Sequence, residues 1–126
     1  MNVWRLMAHH QPENYEKVIN WTRSNGVIAI GWGIGDLRQR SFHTVNELTN
    51  LVIKECTWNT PSSCGNGGRS LWRLYKEMNI GDLVIVNTHG RILTMRITGD
   101  YFYQNGEQPL YEHRRKAEML PIDPNK

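Results

Sequence analysis

The spacing of apolar positions changes period several times along the chain, and each change predicts an element. Val3-Trp4-Arg5-Leu6-Met7 alternates over a short run, which predicts a first strand with one face on a core. Beyond His9-His10-Gln11-Pro12, the positions Tyr15, Val18, Ile19 and Thr22 recur at i, i+3, i+4 and i+7. They predict a helix over 13–24 that stops at Gly26. Val27-Ile28-Ala29-Ile30 is β-branched and too short for a helix, so it reads as a central strand running into the turn Gly31-Trp32-Gly33-Ile34-Gly35-Asp36. Thr44-Val45-Asn46-Glu47 is a capping box, in which the Thr hydroxyl and the Glu carboxylate satisfy orphan amide donors. Leu48, Leu51, Val52 and Cys56 follow on one face of the helix it starts. Thr57 to Gly68 is polar and rich in turn formers, which predicts a long surface loop. Ser70 would then cap a short third helix that turns Leu71, Leu74, Tyr75 and Met78 inward.

Strands dominate the second half. Asn79-Ile80-Gly81-Asp82 turns the chain, and Leu83 to Asn87 and Ile92 to Ile97 flank the hairpin connection Thr88-His89-Gly90-Arg91. Tyr101-Phe102-Tyr103 precedes Asn105-Gly106, a strong hairpin signal, and the return strand should lie within Tyr111 to Leu120. Pro121 to Lys126 is broken by proline, so the organisation is a single domain over 1–120 with a tail or linker over 121–126.

Composition narrows the class. A chain of 126 residues buries roughly two-thirds of its unfolded surface, enough for one core. At 39% hydrophobic and 21% charged it matches a soluble globular domain. No apolar run approaches the ~20 residues of a membrane-spanning helix, and Met1 to Arg5 lacks a secretory pattern, so a cytoplasmic protein with no membrane partner is expected. Cys56 and Cys64 have no second pair, which signals neither a disulfide framework nor a four-ligand zinc site. Fifteen Lys and Arg against twelve acidic residues give +3, a balance that permits a polyanionic partner. Five Trp add a further clue, because several stand beside glycine or in polar stretches rather than on apolar faces.

Three stretches in order carry a resemblance. They are Val3-Trp4-Arg5-Leu6; Gly26 to Leu37 with Ile30-Gly31-Trp32-Gly33 and Gly35-Asp36-Leu37; and Leu71-Trp72-Arg73-Leu74 through Gly81-Asp82 to Val86. Gly99-Asp100-Tyr101 and His113-Arg114-Arg115 resemble closing segments. Together they resemble the PUA-like superfamily, in particular its EVE and YTH-related branch, found in modification-dependent restriction systems. One departure is Glu118-Met119-Leu120, where such domains often carry a Trp. The resemblance implies an α+β fold, a small curved β-barrel of about five to six strands with two to three flanking helices. It also implies a nucleic-acid-binding module that holds one modified base in an aromatic pocket.

A flipped base has two flat faces and a hydrogen-bonding edge, so a reader needs aromatic walls, a polar group at the edge and cations on the backbone. Trp32 and Gly33 in the Gly-rich turn, Asp36 as edge reader, Trp58 as a second wall and Asn87 at a strand end are the candidate pocket. For Trp32 and Trp58 the competing role is packing, and for Asp36 it is capping a turn. Arg38, Arg40, His89, Arg91, Arg114, Arg115 and Lys116 are candidate contacts to the phosphate backbone, against the plainer role of a solvated basic face. Trp4 and Trp72 fall within periodic elements and are expected to pack in the core.

Other chemistries find no support. The third glycine of a dinucleotide fingerprint would fall at Asp36, and Trp32 fills the turn. No Asp-x-Lys or Glu-x-Lys occurs to build a metal-dependent nuclease centre. No His-x-Glu with a downstream Cys pair occurs either, and neighbours His9 and His10 cannot share one site on a strand. The expectation is therefore a binding module with no cofactor, no metal and no catalytic residues. It would read a methylated or hydroxymethylated base, preferably in DNA, and target a C-terminal effector domain or partner protein. The alternative is an RNA-binding PUA or ASCH-type domain with ribonuclease or nucleoside-directed activity.

Overall fold

A computed structural model describes residues 1–7, 12–55, 61–88, 90–105 and 111–121. The first strand β1 (Val3–Met7) and the second, β2 (Val27–Ile30), form where alternation and β-branching place them. Between them, a 3₁₀ turn at Pro12–Asn14 leads into α1 (Tyr15–Asn25). This helix ends at Gly26, whose φ of 62° lets its N–H reach the Thr22 carbonyl at 3.0 Å. At the start of α2 (Val45–Glu55) the Thr44 hydroxyl accepts from the Glu47 N–H at 3.3 Å. The Glu47 carboxylate accepts from the His43 N–H at 2.9 Å, one residue earlier than a reciprocal capping box requires.

The third helix departs most from expectation. α3 (Pro61–Trp72) continues through a wider π-type turn at Arg73–Glu77, so the predicted loop is helical from Pro61 onward and Ser70 lies inside the helix rather than at its cap. Glycine is about 1 kcal/mol worse than alanine in a helix interior. Here packing overrides that preference, because Cys64, Gly65, Gly67 and Gly68 are all buried. A methyl on Gly68 would lie 2.7 Å from the Thr49 Cα, so α2 and α3 approach more closely than side chains on that face would allow.

β3 (Leu83–Thr88), β4 (Arg91–Tyr103) and β5 (His113–Met119) complete one sheet in the order β1-β3-β4-β5-β2. β1 runs parallel to β3, and the other pairs are antiparallel. The architecture is α+β, and among the described residues it has five strands in an open sheet and three helices; the expected barrel does not close there, because β1 and β2 are both edges. β2 is thus not a central strand. Its apolar run reflects the burial of Val27, Ile28 and Ile30, and burial does not report how many strands are neighbours. Tyr101-Phe102-Tyr103 is not a separate strand either but the far end of β4, beyond a register shift between Ile97 and Tyr101.

The core gathers Ile19, Ile28, Leu48, Val52, Leu71, Leu74, Met95 and Ile97 between sheet and helices. Trp4 and Trp72 pack against it, as their periodic settings suggested. Asp82 ties the start of β1 to the turn before β3, since its buried carboxylate accepts from the Asn2 and Asn79 N–H groups and the Trp4 indole, each at 3.0 Å. These donors hold its pKa below the ordinary carboxylate value. Among the described residues, no helix is long and apolar enough to cross a membrane.

Candidate functional site

β2 ends with Ile30 opposite His113, and the chain then leaves the sheet through residues 31–36. Trp32 has a φ of 72°; among the described residues it is the one non-glycine in the left-handed region. For an L-residue with a bulky side chain that conformation costs about 1–2 kcal/mol, so the surroundings must hold it there.

They do so through one buried ring. His113 Nε2 lies 2.8 Å from the Trp32 carbonyl, which only accepts, so Nε2 carries the proton. In the neutral ring Nδ1 is then an acceptor, and the Tyr101 hydroxyl donates to it at 2.8 Å. The same hydroxyl oxygen accepts from the Leu37 N–H at 3.1 Å. Both ends of the loop are thus fastened to β4 and β5 through His113, which is wholly buried. That burial lowers the His113 pKa and favours the neutral form the circuit requires. Burial likewise pushes the Tyr101 phenol well above its ordinary value, so it stays a donor.

The glycines around Trp32 have steric causes. A methyl at Gly31 would sit 2.7 Å from the Tyr111 ring, and one at Gly33 would sit 3.3 Å from the Glu112 carboxylate. On the other side the Trp32 indole rests against Gly67 of α3, where a methyl would overlap it. The indole therefore packs along one side against the helix backbone while Trp32 as a whole stays half-buried.

Trp32, Gly33 and Asp36 share this loop. Asp36 caps the 3₁₀ turn Leu37–Gln39, accepting from the Arg38 N–H at 3.0 Å. It also pairs with the Arg38 guanidinium through both oxygens, at 3.1 Å from Nε and 2.7 Å from Nη2, and this pairing lowers its pKa. Asn87 does not join them: it pairs with Met7 and Ile92, at the opposite end of β4 from Tyr103 and His113. The antiparallel register of β4 puts the 88–91 hairpin at that far end too. Trp58, His89, His9, His10 and Cys56 lie outside the described residues, as does the side chain of Arg91.

The cations divide into two groups. Arg38 and Arg40 are exposed after the loop, Arg40 lying 3.4 Å from Glu55, and Lys116 is exposed on β5. Arg114 and Arg115 point inward, which corrects their reading as surface phosphate contacts. Arg114 donates from Nε to the Tyr111 carbonyl at 2.8 Å and lies 4.6 Å from the Trp21 ring centre, a cation–π arrangement. Arg115 donates from Nε to the Gly99 carbonyl at 3.0 Å, in the register shift of β4. Its Nη1 serves the carbonyls of Leu74, at 3.2 Å, and Met78, which close the helical segment.

Sequence reasoning passed over Tyr101, Tyr103, Tyr111, Glu112 and the structural role of His113. The Tyr103 ring meets the His113 ring edge-on at 5.6 Å, and its hydroxyl donates to Asn105 at 3.0 Å. Burial raises the Glu112 pKa, and the Tyr103 phenol rises through burial and through the nearby Glu112 and Asp36 carboxylates. The available signal was period two, since Tyr101 and Tyr103 pair with Arg115 and His113 across β4 and β5. The loop and strand ends therefore combine an aromatic side chain, two carboxyl groups and one exposed guanidinium. These groups can stack on a planar ligand and hydrogen-bond its polar edge. Among the described residues, no three His, Cys, Asp or Glu side chains gather as metal ligands would.

A family model described as "Domain of unknown function (DUF8426)" matches residues 4–125, nearly the whole chain. No curated protein and no solved structure matches it.

Proposed function

We propose that this chain, which belongs to the DUF8426 family, is a nucleic-acid-binding module that reads a modified base flipped against Trp32. The observation that carries this reading is the Trp32 backbone. A tryptophan needed only for packing would sit in a relaxed conformation, whereas this one is held at positive φ by a buried relay fastening both ends of its loop. The relay fixes the Trp32 backbone, and Gly67 of α3 backs the indole, before any ligand arrives, so little ordering cost falls on binding. Glu112 stands beside Gly33 as an edge reader, and Asp36, engaged by Arg38, holds that guanidinium next to the loop. Arg38 adds a positive charge beside them, while Asn87 and the two inward arginines have no part in the pocket.

The Gly-Trp-Gly and Gly-Asp-Leu pattern resembles that of restriction-associated domains of the PUA-like EVE and YTH-related branch, a resemblance that would favour DNA, with the sheet left open. The bound base would be methylated or hydroxymethylated, and the module would target an effector domain or partner protein. Stacking on one indole contributes ~1–3 kcal/mol per base, about 5- to 150-fold in affinity. The test is titration of tryptophan fluorescence with short DNA and RNA strands carrying methylated adenine, methylated or hydroxymethylated cytosine, or no modification. Quenching that saturates at much lower concentration for one modified base is the expected result. Equal affinity for every strand would replace the reading with a nucleic-acid binder indifferent to modification, and cleavage of the RNA strands would replace it with the enzymatic alternative.

A further inference from the structure

A cleft of about 440 Å³ opens between the turn that follows α3 and the register shift of β4, and Arg38, Tyr75, Lys76, Asn79, Asp100 and Arg115 are among its walls. Among the described residues three cations line it with one carboxylate, that of Asp100, whose side chain is 93% exposed, and Arg38 is itself paired with Asp36 outside the lining. Two of the cations are positioned by rings. The Lys76 ammonium lies 4.5 Å from the Tyr75 ring centre and the Arg38 guanidinium 5.8 Å from that of Tyr101. The two tyrosines brace each other edge to face at 4.9 Å.

The third cation is the unusual one. The Arg115 side chain is only 4% exposed; its Nε and Nη1 are occupied by three backbone carbonyls. Among the described residues Nη2 makes no hydrogen bond; its nearest acid oxygen, on Asp100, is 3.8 Å away, too long for one. Nη2 of this buried guanidinium thus keeps its two N–H donors without a hydrogen-bond acceptor at a cleft that Lys76 and Arg38 also line. With Nε and Nη1 taken, Nη2 can give an anion a charge-assisted hydrogen bond from a single nitrogen.

We propose that the cleft binds a phosphate of the nucleic-acid strand, so that Arg38 sits between a base held at Trp32 and a phosphate held by Lys76 and Arg115. The proposal rests on the nucleic-acid reading above, and it places the backbone contact within the cleft, where Arg115 turns inward, rather than on an exposed basic face.

The experiment is amide NMR of the whole chain titrated with thymidine 5′-monophosphate, thymidine and inorganic phosphate, repeated with Lys76→Gln. The nucleotide should shift the amides of residues 75–80 and 99–101 saturably while thymidine leaves them in place. Lys76→Gln should weaken nucleotide binding up to about fivefold. It should also lower the salt slope for plain DNA by about one, with the ratio of modified to unmodified affinity retained. Thymidine shifting the same amides, or Lys76→Gln leaving both readouts unchanged, would overturn the proposal. Inorganic phosphate binding as tightly as the nucleotide would make the cleft a free-anion site and overturn the strand assignment. Loss of base discrimination with the phosphate-dependent shifts intact would remove the Trp32 reading and leave the cleft standing.

Discussion

His113 couples the shape of the Trp32 loop to pH. Its unfolded-state pKa is near 6.5, and burial lowers it in the folded protein. Where the unfolded chain binds the proton first, stability rises with pH; the contribution of the neutral ring is therefore complete above about pH 6.5 and declines as pH falls toward the lowered native value. A proton on Nδ1 also removes the acceptor of the Tyr101 O–H, leaving that buried hydroxyl proton without its partner in the relay. The urea midpoint of the wild type should consequently be lower at pH 5.5 than at pH 7.5, and His113→Asn, less stable at pH 7.5, should show a smaller drop. A wild-type midpoint that does not move between those values would contradict the account of the loop. Residue-level chemistry was partly legible: Trp32 stood out by its glycine neighbours, and Gly26 by its place after an apolar period. His113 did not stand out, because a histidine beside two arginines looks like a basic run until strand pairing turns it inward.

At the scale of elements, β1, β2, α1 and α2 lie where hydrophobic period and turn residues place them. α3 does not, since Pro61 to Gly68 carries every local mark of a loop. Its helix exists because small residues let it approach Thr49 and Trp32, a reason that resides in partners distant along the chain. The sign of one substitution tests this. Gly67→Ala on an ordinary exposed helix would gain about 1 kcal/mol. Here the added methyl overlaps the Trp32 indole, and a loss of about 1–3 kcal/mol is expected, with altered tryptophan emission, by urea denaturation followed by fluorescence. A gain in stability would mean that α3 and the loop are not in contact.

For the molecule as a whole, strand order separates what the sequence seemed to unite. Asn87 and the 88–91 hairpin lie at one end of β4, while Trp32, Tyr103 and His113 lie at the other. No local pattern announces this, because the register of an antiparallel strand is set only once its neighbours are chosen. Openness of the sheet was hidden for the same reason: four β-branched or small apolar residues read alike in an edge strand and a central one. The inward turn of Arg115 likewise follows from a register shift that leaves its guanidinium beside Gly99 and the end of the α3 segment. What emerges is one end of the sheet with an aromatic loop and an adjacent positive cleft, a layout suited to a base and its phosphate. The most direct test of that layout compares wild type with Trp32→Ala in competition binding of modified against unmodified DNA across a salt series. The account predicts that the variant loses the preference for the modified strand while its salt-dependent affinity for plain DNA stays near that of the wild type. Equal loss on both strands, or a preference that survives without the indole, would contradict it.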